Sequence, residues 1–306
     1  MREPGAAASA DADSVEALHA AIGRFARLDA QLGSGAVAPS VLRSFRAAQQ
    51  VLRTGRYVRA VRRDLQAVTA EMGELAGWML FDGLRLTQAR RINAEALLLA
   101  RAAGDTAMTW FVLSNEALVC TGSGHYGEAL RISRHFAEDP RVPRRVRALF
   151  RLRQARVLGH AGNEPAALRA FERAGAMFSD GLSSRDPAWS WWFDERELVG
   201  HAGSLRVSLG RHAEALPLLG AAVEAARDDG YRWALYIHRA ALLDAALAAG
   251  DIAEAERVAV AIVPMLERMN SARTEHRLRH ALARGAGRRC PSTLSDALEH
   301  IRRRLS

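Results

Sequence analysis

The sequence predicts an all-α protein, a solenoid of about six helical hairpins with capping helices. Three observations carry this. A phrase recurs six times in which a glycine or near-equivalent is followed by alanine at one fixed offset: Gly55 with Ala60, Leu84 with Ala89, Gly124 with Ala129, Gly162 with Ala167, Gly210 with Ala215 and Gly250 with Ala255. Glycine can end one helix in a left-handed cap, a polar pair turns the chain, and alanine lets the next helix pack closely on the last. The alanines follow one another at intervals of 29, 40, 38, 48 and 40 residues, a period that belongs to helical-hairpin arrays. Ala, Leu, Arg and Glu dominate throughout, and no segment alternates with strand period.

In chain order, residues 1–13 read as a disordered lead-in that ends at a helix cap, Ser14 or Asp13. No apolar stretch follows Arg2, so this is not a secretory signal. A leading helix is predicted at about 14–31, then hairpins at about 41–67, 70–101, 108–137, 144–178, 189–226 and 232–268. The first interval is too short for two full helices, so a shortened or merged helix is expected near 61–72. Pro140, Pro143, Pro187 and Pro291 mark breaks, and Pro165 sits just inside a helix start, where its missing N–H costs nothing. Pro217 and Pro264 are expected to kink their helices. Terminal helices at about 270–284 and 292–305 complete the chain. The solenoid is thus 14–284, and 285–306 is a basic linker with a C-terminal capping helix.

Composition sets further bounds. A hydrophobic content of 49% supplies core for every hairpin, and no run of 18 apolar residues suggests a membrane span. Cys120 and Cys290 are far apart; Cys120 falls on an apolar helix face and reads as a buried small hydrophobe, which fits a cytoplasmic protein. All 43 basic residues are arginine, and the net charge of +9 favours acidic or nucleic-acid partners. Much of the excess lies between residues 273 and 304, where it reads as a solvated basic face.

The residues resemble tetratricopeptide repeats. The alanine of each second helix, the preceding turn and the tyrosines Tyr57 and Tyr126 fit that pattern. Gly77 and Gly203 match the small residue of the first helix, and Ala96, Ala174 and Ala222 the later one of the second. The first-helix tryptophan and terminal proline of the family are absent, so the repeats are degenerate. The resemblance implies a right-handed superhelix. A closer resemblance covers nearly the whole chain from Val15, through ELAGWMLFDG (74–83), ALLLARAAGD (96–105), RRVRALFRLRQARVLGHAG (144–162) and DPAWSWWFDERELVGHAG (186–203). These phrases look like the repeat region of actinobacterial XRE-type helix-turn-helix transcriptional regulators. In that family a DNA-binding domain precedes the repeats. Here about a dozen residues precede the first repeat-region helix, too few for such a module, so sequence-specific DNA binding is not expected.

In tetratricopeptide arrays the first helix of each hairpin lines a concave, peptide-binding face. Mapped here, that face holds Gln49, Trp78, Arg153, Arg156, Glu197, Ser204 and Asp244, with Asn115 one turn away. Arg153 and Arg156 are i,i+3 neighbours that could clamp a carboxylate, or form a solvated pair; both are expected at the surface, where replacement leaves the fold intact. The segment 186–195 gathers Trp189, Trp191 and Trp192 beside Asp194, Glu195 and Glu197. As the start of an amphipathic helix it would bury Trp189 and Trp192 and leave Trp191 outside, with acids near the positive helix end. With Asp194 and Glu197, Trp191 could grip an arginine-bearing or aromatic ligand. His201 with Glu197 has i,i+4 spacing, read as a helix-surface contact. His276 and His280 share that spacing, but Arg277 stands where a catalytic glutamate would, so no metal is expected.

No nucleophile elbow, phosphate loop or dinucleotide fingerprint is present, and no cofactor is expected. The leading expectation is a cytoplasmic regulatory module that binds a peptide or protein partner in its groove, in a setting of transcriptional regulation. The alternative is a sensor of a small-molecule or signalling-peptide ligand. An enzyme built around His201, Glu197, Asp194 or His160 is the third reading. The partners these readings allow are a peptide or protein, a small-molecule ligand, and a second copy of the chain in a homodimer, but no membrane. A buried polar pocket separates the sensor from the docking module, which calls for an open groove.

Overall fold

The structure, a computed structural model, describes residues 9–178, 183–228, 231–286 and 290–306. Among these, the chain is helical nearly throughout. The helices are α1 (Ala12–Leu32), α2 (Ser34–Thr54), α3 (Arg62–Asp82), α4 (Leu86–Ala103), α5 (Thr106–Gly122), α6 (Tyr126–Glu138) and α7 (Arg144–His160). They continue with α8 (Glu164–Phe178), α9 (Glu195–Ser208), α10 (His212–Asp228), α11 (Arg232–Ala249), α12 (Ile252–Ile262), α13 (Ala272–Gly285) and α14 (Ser292–Leu305). No described helix is long and apolar enough to cross a membrane.

The recurrent phrase does what its chemistry predicts at its first residue. All six leading positions have positive φ, from 55° at Leu84 to 80° at Gly250, and each follows a helix end. Backbone N–H groups after the turn return to the last carbonyls, as when His125 N donates to Cys120 O at 2.8 Å and Asn163 N to Leu158 O at 2.9 Å. Five of the six alanines, Ala89, Ala129, Ala167, Ala215 and Ala255, are fully buried where the second helix lies on the first. The small residues predicted elsewhere are equally tight. A Cβ on Gly77 would lie 2.0 Å from Asn93 Oδ1 and one on Gly203 2.7 Å from Leu219, while Ala96 and Ala174 are fully buried and Ala222 nearly so.

Ala60 is the exception. Gly55 ends α2 with φ 70°, but the chain then forms a 3-10 turn at Arg59–Val61 and leaves Ala60 exposed. Tyr57 pairs instead with Ala10 as an isolated parallel bridge, fixed by Ala10 N to Arg56 O at 2.9 Å and Val58 N to Ala10 O at 2.8 Å. The helix through 61–72 is therefore full length, not shortened or merged; α3 packs on α4 and, across the 3-10 turn, on α2, while α1 lies against both α2 and α3. Taken in chain order, the helices of the described residues form seven successive pairs: α1–α2, α3–α4, α5–α6, α7–α8, α9–α10, α11–α12 and α13–α14.

Other boundaries move for local reasons. Of the predicted lead-in, residues 1–8 lie outside the described residues, and α1 is capped by Asp11 rather than Ser14 or Asp13. Ser14 N donates to Asp11 Oδ1 at 3.0 Å and Asp11 N to Ser14 Oγ at 3.2 Å, a reciprocal box. Trp189 and its neighbours form a 3-10 turn, Ala188–Trp192, and α9 starts later, at Glu195, with Asp194 accepting from Glu197 N at 3.1 Å. Pro217 lies inside a continuous α10, whereas Pro264 falls in a 3-10 turn at Val263–Met265 that ends α12. Part of the predicted linker after α13, 287–289, lies outside the described residues.

Successive helices pack on their neighbours, and the two ends of the series also meet: α1 touches α11 and α3 touches α13. Asn270 N donates to Leu32 O at 2.8 Å, and Gly35 N to Asn270 O at 2.9 Å. The indoles of Trp78 and Trp233 stand edge to face at 5.4 Å across the same junction. The apolar core is divided accordingly. One large cluster runs from Ile22 to Val119, another from Ala215 to Ile301, and smaller ones link them through α5–α9.

Candidate functional site: a cavity walled by the first helices

Where the ends meet, the first helix of each pair from α3 to α13 faces a common interior. On these helices the turn alanine fixes the register. Residues 18, 14 and 11 positions before it form an i, i+4, i+7 stripe: Glu71, Leu75 and Trp78 on α3, Phe111, Asn115 and Leu118 on α5, and Glu197, His201 and Ser204 on α9. Arg153 and Arg156 occupy the last two stripe positions on α7, and Ile237, Ala241 and Asp244 all three on α11. Together with Arg273 and Arg277 of α13 these side chains wall a cavity of about 950 Å³.

All nine predicted site residues, Trp78, Asn115, Arg153, Arg156, Trp191, Asp194, Glu197, His201 and Asp244, border this one cavity, as does Ser204. Gln49 does not. It lies on α2, a second helix, and donates to Glu95 Oε2 at 2.9 Å. Sequence reasoning missed Asp29, Glu71, Glu74, Trp233, His238, Arg273 and Arg277, which also border the cavity. The predicted solvated face of the basic tail is corrected at two of these: Arg273 is ion-paired to buried Asp82 at 3.2 Å, and Arg277 is half-buried. His276 and His280, with ring centroids 5.2 Å apart, remain exposed on the rim.

Arginines concentrate at one side. Arg153 is 4% exposed and its Nε has no hydrogen-bond partner; Arg156, one turn on, is half-buried. This corrects the surface assignment of the pair, because α7 faces the cavity and not bulk water. Burial, and then the mutual repulsion of Arg273, Arg277 and Arg153, pulls Arg156 down to about 9, and burial pulls Arg153 down to about 10 despite the attraction of Glu197. Guanidinium does not deprotonate in proteins, so these depressions express unrelieved charge. Neither Arg156 nor Arg277 has a side-chain hydrogen bond or ion pair to any described residue. Arg273, in contrast, is caged: its guanidinium lies 5.3, 4.9 and 5.2 Å from the rings of Trp78, Phe81 and Trp233.

The acids are mostly engaged or neutralised. Asp244 accepts from Arg284 Nε at 2.8 Å, Asp194 is paired with Arg196, and Glu71 meets His19 at 3.2 Å. Asp29 accepts from Ser34 Oγ at 2.6 Å and from Trp78 Nε1 at 3.3 Å, and burial raises it to about 6. Glu74 accepts from Asn115 Nδ2; burial, helped by neighbouring Glu71, lifts it to about 8. Burial and then Asp194 lift Glu197 to about 7, while Arg153 opposes the rise. His201, 3.9 Å from Glu197, is held neutral by burial and by Arg153, and burial with Arg277 pushes His238 down to about 4. Glu197 is therefore the group of this pair poised to gain or lose a proton near neutral pH, while His201 stays neutral.

Aromatic residues complete the wall. The 48-residue interval is the longest of the five between the phrases, and the extra length carries Trp189 back to α5. There its ring stacks on Phe111 at 4.4 Å and its Nε1 donates to Ala107 O at 3.0 Å. Trp192 lies 6.1 Å from Phe111, and Trp191, 70% exposed, stands at the rim as predicted.

A second cluster, Glu116, Cys120 and Glu128, brings three ligand-type atoms within 4.8 Å of one another. Arg90 already bridges both carboxylates, at 2.9 and 2.8 Å, and burial pushes the Cys120 thiol up, which makes it a closed network between α4, α5 and α6. No family model matches the chain, and no curated protein is similar to it.

Proposed function

We propose that the chain is a ligand-responsive regulatory module: a degenerate, right-handed tetratricopeptide-like superhelix, closed on itself, that holds a small molecule or short signalling peptide inside. One observation carries this reading, the cavity of about 950 Å³ into which five successive first helices direct one stripe each, with Arg273 and Arg277 of α13 closing it. Small-molecule sites span about 300–1,000 Å³ and combine apolar walls with a few convergent polar groups. Protein docking by an open groove was the leading expectation from the sequence. The contacts of α1 with α11 and of α3 with α13 favour the sensor over it. A ligand seated between the two ends would bias how they meet, which is the means by which such a module signals to a transcriptional partner.

The test is native mass spectrometry of the chain purified gently from its host, beside the variant Ser204→Trp, which sets an indole into the middle of the cavity wall's inward stripe. The expected result is a ligand of a few hundred daltons, bound one to one, in the wild type alone. Recovery of a protein partner that binds both forms equally, with no small ligand, would overturn the sensor in favour of docking on the outer surface.

A further inference from the structure

Resting on the cavity reading above, we infer that the ligand is an organic anion: an oxyanion group, carboxylate or phosphate, held among Arg153, Arg156 and Arg277, with an apolar or aromatic body against the ring-lined wall. Three independent features converge on this. Arg153 is almost wholly buried, lines the cavity, and has an Nε that no protein group accepts from. Arg156 and Arg277 come from different helices, α7 and α13, line the same cavity, and have no carboxylate within ion-pair distance among the described residues. Other cationic side chains nearby are already matched, Arg273 by Asp82, Arg284 by Asp244 and Arg196 by Asp194.

Burying charge without a partner is costly, and three guanidinium groups in one interior compound the cost by repulsion. Glu197 is the acid that acts on Arg153, and it also feels Asp194. Asp244 acts on Arg277 but is already paired with Arg284, so these two carboxylates do not balance the cations gathered there. A bound oxyanion would, and the planar forks of arginine match carboxylate and phosphate oxygens in pairs. The rest of the ligand meets Trp78, Phe111, Trp189 and Trp192, a wall too apolar for a bare inorganic ion.

Matched fluorescent probes test this. Anilinonaphthalene sulfonate and phenylnaphthylamine share an aromatic body and differ by one anionic group. The sulfonate is expected to bind at least tenfold more tightly than the neutral probe. That advantage should fall tenfold or more in Arg156→Gln and in Arg277→Gln, and both probes should be lost in Ser204→Trp. Each arginine variant should melt no lower than the wild type, because it removes repulsion, so weakened binding is not a folding defect. Displacement by naphthyl phosphate against naphthoate then distinguishes a phosphate ligand from a carboxylate one. Equal affinity for both probes, unchanged by the arginine substitutions but abolished by Ser204→Trp, overturns the anion assignment and leaves the cavity reading standing. Failure of both probes to bind, or binding indifferent to Ser204→Trp, overturns both.

Discussion

Arg273 Nε donates to Asp82 Oδ1 at 3.2 Å, joining residues 191 positions apart at the point where α13 meets α3. Asp82 is fully buried and also accepts from Trp233 Nε1 at 3.3 Å, so one carboxylate ties together three helices, α3, α11 and α13. Arg273→Ala strands that carboxylate and empties the cage of Trp78, Phe81 and Trp233. Removing one partner of a buried pair costs about 3–5 kcal/mol. Urea unfolding is expected to show a loss of that order, with a further loss from adding Asp82→Asn much smaller than its effect alone. Additive losses would mean that the two residues do not act as a unit.

How far the sequence could be read depends on the range of the interaction. Helix ends are local, and all six phrase positions adopt the left-handed turn they predict. What packs after a turn is not local, and the phrase at Gly55 is followed by an exposed Ala60 because Tyr57 finds Ala10 instead. The inward stripe was legible one residue at a time, since register from a buried alanine determines which side chains face in. Meeting of the ends was not. Arg273 and Arg277 lie on α13 among arginines and histidines that do face solvent, and composition alone cannot separate a cavity wall from a wet surface. Trp233 and Asn270 matter only through partners on the opposite end of the chain.

The closure also rests on a close backbone approach. A Cβ on Gly33, where φ is 81°, would lie 2.5 Å from Asn270 O, whereas one on Gly124, with φ 76°, meets nothing within 4 Å. Gly124→Ala incurs the left-handed penalty of about 1–2 kcal/mol, and Gly33→Ala, at φ 81° and ψ 161°, a backbone strain of about 1–3 kcal/mol. Only Gly33→Ala adds a backbone clash. It should be the more destabilising of the two by at least about 1 kcal/mol, and hydrogen exchange at Asn270 and Gly35 should quicken in it alone. Equal losses would show that the approach is soft.

The tryptophans of the 3-10 turn divide sharply. Trp189 stacks on Phe111 with planes 9° apart and donates to Ala107 O, while Trp191 is 70% exposed. Trp189→Ala should cost about 2–3 kcal/mol, near the lower end for a large aromatic because the ring is only half-buried. Trp191→Ala should stay within about 0.5 kcal/mol. Thermal or urea denaturation separates these outcomes, and a large effect at Trp191 would place it in the packing rather than at the rim.

Glu74 gives the sharpest pH dependence. Its carboxyl is raised from an ordinary 4.5 to about 8 by burial and by Glu71, so the folded state holds a proton that the unfolded chain releases. For such a group the stabilisation is full below the unfolded value and is lost as pH rises through the folded one. Asp29 and Glu197, raised to about 6 and about 7, act in the same direction, while His201 and His238, both lowered, withdraw stability as pH falls below about 6.5. Comparing Glu74→Gln with the wild type cancels these shared contributions. The amide keeps the shape and can still accept from Asn115 Nδ2, so the two proteins should be similarly stable at about pH 5. Towards about pH 8 the wild type must bury a charge or hold the proton against a growing gradient, and the variant does neither. The variant should therefore become the more stable by at least about 1 kcal/mol, with the gap widening steadily across the interval. Urea unfolding at several pH values checks this. A gap that stays constant with pH would mean that Glu74 ionises in the folded protein as it does in the unfolded chain.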